Sequence, residues 1–181
     1  MSTIKVDTIK KVNDSVPKAS DLGLNVTGNV IQIVSNSSDT VTTVANGATT
    51  NIISQAITPN ATSSKILIRA SLSLGGDSNS YGYCRLLRGS TAIGISTQAS
   101  SSQVNASFQV MTKNWTYATY RTSPHIFEFL DSPSTTSATT YNISMTCTSA
   151  NVYLNRAGTL STGDAFTPAT VSTLTLMEVA G

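Results

Sequence analysis

Few of the residue types that carry chemistry occur in this sequence. Its 181 residues include one histidine, His125, and two cysteines, Cys84 and Cys147, and only 11% of the residues are charged. A structural metal site needs several cysteine or histidine ligands at short spacing, which these three residues do not supply. We therefore expect no metal and no other cofactor.

The scarcity of histidine also bears on catalysis. His125 could be combined with Asp131 or Glu128 and with a serine, but serine is so abundant that such a match carries little information. No nucleophile elbow of the Gly-x-Ser-x-Gly type is present, and spacing ties no acid, base and nucleophile together. The sequence therefore predicts a protein that is not an enzyme and has no catalytic residues.

The charge pattern argues against nucleic-acid binding, and the apolar runs are too short for a membrane span. The net charge is only +2, whereas phosphate binding requires clustered lysine and arginine. Three aspartates are interleaved with the four lysines near the N-terminus: Lys5, Asp7, Lys10, Lys11, Asp14, Lys18 and Asp21. No run approaches the ~20 apolar residues of a transmembrane helix. The first residues lack the apolar core of a signal peptide, so we expect assembly in a cytoplasm.

The two cysteines each lie inside a strand-like run. In a reducing compartment, buried free cysteines behave as small hydrophobic residues. We expect Cys84 and Cys147 to be buried free thiols, with a disulfide between them as the alternative.

Serine and threonine are abundant, with 55 residues together, and 39% of the chain is hydrophobic. This balance lacks the high charge and low hydrophobicity of a disordered chain. It favours short β-strands that carry threonine and serine on their outer faces. A chain of this length can bury about 70% of its unfolded surface, so we expect one domain with a substantial core.

Strand-like runs follow one another from residue 29 to the C-terminus, separated by clusters of Gly, Pro, Asn and Ser. The predicted strands cover residues 29–34, 40–44, 50–57, 65–74, 81–87, 92–95, 104–111, 115–120, 125–130, 140–147, 152–154 and 172–179. Such a succession is typical of a sandwich or barrel. We predict an all-β fold, an antiparallel β-sandwich of the jelly-roll type over residues 29–181, preceded by an extended N-terminal arm over residues 1–28.

Two of these strands are predicted in more detail. In residues 65–74 the apolar positions alternate, so the even-numbered residues should face the core. The last strand, residues 172–179, is expected to lie inside a sheet and to close the fold, since untied chain ends are normally polar and frayed. Open strand edges with little charge invite association, and threefold association is our expectation for this architecture.

The arm is a candidate docking segment. Ile4, Val6 and Thr8 alternate in a way that would let residues 1–28 add a strand to a partner, while Ile9 and Val12 follow out of phase. The partner-docking residues are therefore predicted to be Ile4, Val6, Ile9 and Val12. The alternative is a leader without fixed structure.

Aromatic residues are the best candidates for ligand contact. Trp115 and Tyr117 would share one strand face among polar neighbours, which suits a sugar or a protein partner; alternatively, Trp115 packs at the base of the sandwich. Tyr81 ends the small-residue segment 75–81, where a ligand could approach closely, although ordinary turn chemistry explains that segment equally well. Acidic residues in predicted loops are expected to be solvated: Asp77, Asp131 and Asp164.

The two ends of the chain resemble a known group of proteins. The resemblance rests on MSTIKVDTI (residues 1–9), LNVTGNV (24–30), NRAG (155–158) and STLTLME (172–178), and covers residues 1–33 and 152–181. These segments are similar to those of small virion proteins of tailed bacteriophages that infect aquatic bacteria and cyanobacteria. The C-terminal domains of proteins in that group resemble trimeric jelly rolls of the complement C1q and tumour-necrosis-factor type.

The resemblance implies a structural component of a phage particle. It favours a homotrimeric tail-fibre or host-contacting subunit that touches a glycan on the host surface and attaches to other virion proteins through residues 1–28. The alternative is a capsid decoration or cement protein, or a head fibre, docked through the same arm. A carbohydrate-binding module outside the particle is the third possibility.

Overall fold

A computed structural model describes residues 27–111, 118–160 and 167–181, and these ranges are almost entirely β-structure. They form eleven strands: β1 Val30–Ser38, β2 Thr42–Val44, β3 Thr49–Ile57, β4 Lys65–Gly76, β5 Tyr81–Arg88, β6 Thr91–Ile93, β7 Phe108–Met111, β8 Thr122–Asp131, β9 Thr139–Ser149, β10 Val152–Leu154 and β11 Ser172–Val179. No helix in these ranges is long and apolar enough to span a bilayer. The predicted arm lies almost wholly outside the described residues and stays a prediction.

The strands form two antiparallel sheets. One has six strands in the order β1-β11-β4-β10-β2, with β8 on the other side of β4; the second has five, in the order β3-β9-β5-β6, with β7 also paired to β5. The eight main strands thus run β1-β11-β4-β8 and β3-β9-β5-β7. These two four-stranded orders are those of a jelly roll, a fold built from two Greek keys, as predicted.

The core lies between the two sheets and follows the alternation of the strands. The even-numbered residues of β4 are buried, which confirms the prediction: Ile66, Ile68, Ala70, Leu72 and Leu74. On β11, Leu174 and Leu176 are buried beside them, and Ile143 and Leu86 pack from the opposite sheet. Each inner face is therefore apolar, as required for two sheets that pack face to face.

The C-terminal strand occupies the interior of the six-stranded sheet. β11 pairs with β1 on one side and with β4 on the other, so the expectation that the last strand lies inside a sheet is confirmed. Beyond its end, Ala180 accepts a backbone hydrogen bond from Gly28 and donates one to Asn29, each 2.8 Å long. The first and last described residues therefore meet at one end of this sheet.

Some predicted boundaries were wrong. β1 continues through Ser38 rather than ending at residue 34, because Ser35–Ser38 pair with Thr175–Ser172. Residues 104–107 are irregular, and only Phe108–Met111 form a strand. The predicted strand over residues 115–120 ends instead in a 3-10 turn, Ala118–Tyr120, and its first residues lie outside the described ranges.

Both cysteines are buried and free, as expected. Cys84 pairs with Met145 in the ladder between β5 and β9, and Cys147 pairs with Gly82. Burial raises the pKa of the Cys84 thiol far above its ordinary value, and burial also raises that of Cys147. Both side chains thus act as small core residues.

Asp131 is not a solvated loop residue, and that expectation was wrong. It ends β8, is 7% exposed, and lies 2.9 Å from the Arg88 guanidinium of β5. The Tyr141 hydroxyl of β9 donates a 2.7 Å hydrogen bond to it. The carboxylate is buried because it joins the two sheets, and Arg88 supplies the opposite charge that such burial requires.

Glu178 is a second buried carboxylate, and its hydrogen-bond partners among the described residues are all neutral groups. It is 0% exposed on the inner face of β11, and its oxygens accept hydrogen bonds from the Asn60 backbone N–H (2.7 Å), the Ser64 hydroxyl (2.6 Å) and the Gln32 amide. Burial by itself raises the pKa of this carboxyl, but the hydrogen bonds outweigh burial and hold the pKa below its ordinary value. Glu178 thereby fastens β1 and the connection between β3 and β4 to β11.

Glu178→Gln is expected to destabilise the fold by about 1–3 kcal/mol at neutral pH, because an amide group would face donors that now meet a carboxylate. Since the pKa of Glu178 is lower in the folded chain, its contribution is complete above the unfolded value of about 4.3 and disappears as the pH falls through the folded value. The difference in unfolding free energy between wild type and variant should therefore shrink in acid, which urea titrations at several pH values would measure.

Glu128→Gln is the matched control. This carboxylate is 53% exposed and pairs with Arg69 on the outer face of the sheet, so its loss should change stability little. A Glu178→Gln protein as stable as wild type at neutral pH would contradict the assigned role.

Candidate binding cleft

Only one of the predicted contact residues falls within the described ranges. Tyr81 begins β5 and is 38% exposed. Trp115 and Tyr117 lie outside the described residues, as do the arm residues Ile4, Val6, Ile9 and Val12. The site is therefore built around Tyr81.

The outer face of the five-stranded sheet forms the floor of a cleft beside Tyr81. Odd-numbered residues of β5 point away from the core, so Tyr81 and Tyr83 share this face. Tyr83 lies directly opposite Gln109 of β7 in the ladder. On the other side of β5, the Thr148 hydroxyl of β9 donates a 3.1 Å hydrogen bond to the Tyr81 carbonyl.

The wall of the cleft is the segment of residues 94–107, which connects β6 to β7. Its two arms are joined by a 3.3 Å hydrogen bond from Ser96 N–H to the Ala106 carbonyl. At its tip, the Gln103 side-chain oxygen accepts a 3.1 Å hydrogen bond from the Ser100 N–H, and the Gln103 N–H donates back to the Ser100 carbonyl. The segment therefore has an internal hydrogen-bonded structure of its own.

Arg85 holds this wall against the floor. Its guanidinium lies 5.0 Å from the centre of the Tyr83 ring, and its Nε–H donates a 2.8 Å hydrogen bond to the Asn105 carbonyl. The Ser107 hydroxyl also accepts from the Leu86 N–H, at 3.0 Å. One cation thus contacts both the aromatic floor and the wall segment.

Floor and wall enclose an open cavity of about 620 Å³, within the usual range for small-molecule sites. Among the described residues, its lining consists of Tyr81, Gly82, Tyr83, Ser96, Gln98, Ala99, Gln103, Val104, Ala106, Gln109 and Thr148. None of these eleven residues is charged. The cleft offers aromatic rings, hydroxyls and three carboxamides, which suit binding through stacking and hydrogen bonds rather than acid–base chemistry.

Sequence reasoning found Tyr81 but missed the three glutamines, Gln98, Gln103 and Gln109. Gln109 reaches the cleft because β7 pairs with β5, and the other two because the wall folds back along β5. Tyr83 was recognisable, since it shares the face of Tyr81 by the period of a strand.

His125 does not join the acids that a catalytic arrangement would need. Its ring stacks on Phe108 at 5.8 Å, and its Nδ1 lies 3.0 Å from the Ser123 carbonyl oxygen. Glu128 lies on the opposite face of β8. Asp131 lies six residues, or about 20 Å, along the strand. Along β8, His125 alternates with the exposed Ile126.

The first glycine of the small-residue segment 75–81 has no space beside it for a ligand, and ligand contact by the rest of the segment stays a prediction. Gly75 and Gly76 end β4, and a Cβ on Gly75 would collide with the Arg156 carbonyl oxygen. A Cβ on Gly158 would likewise collide with the Gly76 carbonyl. The space is filled by the protein's own backbone. Asp77 is held there by the Asn151 amide at 2.9 Å.

Comparison with protein families gave no match, and comparison with curated proteins gave none. Among solved structures, the chain is similar to the VP2 subviral particle of infectious bursal disease virus, with 9% sequence identity and a TM-score of 0.40. The similarity covers 83% of this chain and 37% of that chain, so this chain spans well under half the length of VP2. A likeness of this degree says nothing about function.

Arg85→Met should loosen the wall while leaving the sandwich intact, because it removes the bond to Asn105 and the contact with Tyr83. Loss of about 1 kcal/mol of local stability corresponds to about fivefold faster amide exchange. Hydrogen exchange with mass spectrometry should show this acceleration in residues 96–106.

The control for this prediction is Arg69→Met, which removes an arginine from the outer face of the other sheet. It should leave exchange in residues 96–106 unchanged. Equal exchange in wild type and Arg85→Met would show that Arg85 does not hold the wall.

Proposed function

We propose that this chain is a non-enzymatic structural subunit of a bacteriophage particle. It assembles as a homotrimer through the outer face of its six-stranded sheet and acts in a tail fibre or a similar host-contacting structure. The observation that carries the proposal is an apolar patch on that face, beside the point where residues 1–26 join the sandwich.

The outer apolar patch consists of two adjacent rows of side chains across the sheet. In one row, Ile33 pairs with Met177, Met177 with Leu67, and Leu67 with Leu130. The next row places Val30 against Val179. The members of the patch are Val30, Ile33, Leu67, Leu130, Met177 and Val179.

This patch is accessible in the single chain. Val30, Ile33 and Leu130 are 53%, 58% and 48% exposed. Scattered apolar residues on a surface need no explanation, but six in two adjoining rows form a continuous area of the kind found at protein interfaces. We take another copy of the chain to be what covers it.

Polar side chains border the patch. Lys65 ends its second row, and on the other side of the first row the Ser35 and Thr175 hydroxyls lie 2.8 Å apart and Arg69 forms a 3.1 Å ion pair with Glu128. An apolar centre with a polar border of both charge signs is the usual composition of a protein interface. The chain ends resemble those of virion proteins whose C-terminal domains look like trimeric jelly rolls, and this resemblance supports three copies.

The position of the chain ends supports attachment to a larger particle. Gly28 bonds to Ala180 at the end of the sheet that carries Val30 and Val179. Three sandwiches that meet through this patch would therefore bring three copies of residues 1–26 together. Three linked copies of this segment could bind one virion partner more tightly than a single copy, because each bound copy raises the effective concentration of the others.

The cleft supports host contact. It lies on the outer face of the five-stranded sheet, whereas the patch lies on the outer face of the six-stranded sheet. These faces are on opposite sides of the sandwich. A trimer joined through the patch leaves the cleft around Tyr81 open to a host surface.

We expect light scattering of the purified full chain to give three times the 18.9 kDa mass of one chain. Replacing both Ile33 and Leu130 with Glu should give a folded monomer, because association would bury unpaired carboxylates. The control, Val41→Glu, changes a residue that is 47% exposed but lies outside the patch, and it should remain trimeric. A monomeric wild-type chain would refute the assembly.

The virion role is tested separately by counting copies. Quantitative mass spectrometry of purified virions, with the major capsid protein as internal standard, should give far fewer copies of this chain than of the capsid subunit if it belongs to a tail fibre. A comparable number would replace that assignment with a capsid decoration protein. Absence from the particle would refute the virion role altogether.

A further inference from the structure

We infer that the cleft between the five-stranded sheet and residues 94–107 binds a neutral saccharide and discriminates against anionic ones. This inference rests on the proposed host contact and names the chemical class of the ligand that would be bound there.

The eleven lining residues provide both hydrogen-bond donors and hydrogen-bond acceptors, and none of these groups is charged. A carboxamide carries two N–H donors and one acceptor oxygen, as adjacent sugar hydroxyls require. Gln103 uses its oxygen for the Ser100 N–H, which leaves its two N–H donors without a partner among the described residues. Gln109 projects from the floor beside Tyr83, so donors and acceptors come from both sides of the cleft.

The aromatic floor provides the complementary apolar surface. Tyr81 and Tyr83 both border the cavity, and Tyr81 is 38% exposed. A tyrosine ring offers an apolar face and a polar hydroxyl, which matches the C–H face and the hydroxyl edge of a pyranose. Val104, which is 49% exposed, adds an apolar contact from the wall.

Charge selection follows from what the lining lacks. None of its eleven residues can neutralise a carboxylate or sulfate, and an anion that loses water without such compensation pays a desolvation cost. Among the described residues, the cation Arg85 lies beside this lining, where it stacks on Tyr83 and donates to Asn105. Recruiting it to an anionic sugar would break the contacts that hold the wall.

The test uses the purified full chain and side-chain amide resonances in ¹H–¹⁵N spectra. The neutral probes are maltohexaose, cellohexaose and chitohexaose. The anionic probes are hexagalacturonate and a heparin hexasaccharide, and a neutral serine- and threonine-rich hexapeptide represents a protein ligand. At least one neutral saccharide should shift the side-chain amides of Gln98, Gln103 and Gln109, and should bind about tenfold more tightly than either anion.

Gln109→Ala should raise the Kd for that saccharide about tenfold. The matched control is Gln55→Ala, which removes a carboxamide from β3 of the same sheet, outside the cleft. It should leave the Kd unchanged. Equal weakening by both substitutions would place binding elsewhere and overturn the assignment.

Three further results would also overturn the inference: no shift with any neutral saccharide, tighter binding of an anionic probe, or shifts produced by the hexapeptide alone. Binding is measured on the isolated protein, so it does not depend on the particle. Saccharide binding by a chain that is absent from virions would refute the virion role alone, and a virion chain without binding would refute the cleft assignment alone.

Discussion

The pairing of β11 with β4 is the constraint on which the rest of the structure depends. The two strands are far apart in the sequence, yet Leu176 lies directly opposite Ile68 at the centre of the six-stranded sheet. Because side chains alternate with period two, a slip of one residue would bury Met177 and expose Leu176. The register therefore fixes the inner face that forms the core and, at the same time, the outer face that carries the apolar patch.

Glu178 makes this register specific. Apolar side chains tolerate many packings, but a buried carboxylate is stable only where donors are already placed around it. Its donors come from Gln32 on β1 and from Asn60 and Ser64 before β4. A shifted strand would carry the charge away from all three donor residues. The interaction therefore contributes to the choice of a single pairing as well as to stability, and it lies beside the point where residues 1–26 join the sandwich.

Most of the fold could be predicted from the sequence because it follows from period-two patterns. The predicted inner face of β4 was correct, since alternation alone determines it. Local pattern could not predict features that arise from pairing between distant segments. Ser35–Ser38 read as a turn but extend β1 because β11 lies beside them, and Asp131 reads as a loop residue but is buried because Arg88 reaches it from the other sheet. The cleft is of the same kind: Tyr81 is visible in the sequence, whereas Gln109 joins it only through β7.

Low charge has a different consequence on each of the two outer faces of the sandwich. On the six-stranded sheet, an uncovered apolar patch with few charges is a liability for aggregation. Closed association removes that liability, because it buries the patch of every subunit and no patch stays exposed to bind further copies. On the five-stranded sheet, low charge is an advantage, since a neutral, amide-rich cleft can exchange water for hydroxyl groups without desolvating ions. A composition poor in charged residues thus serves both assembly and recognition, provided that the core keeps the two faces on opposite sides.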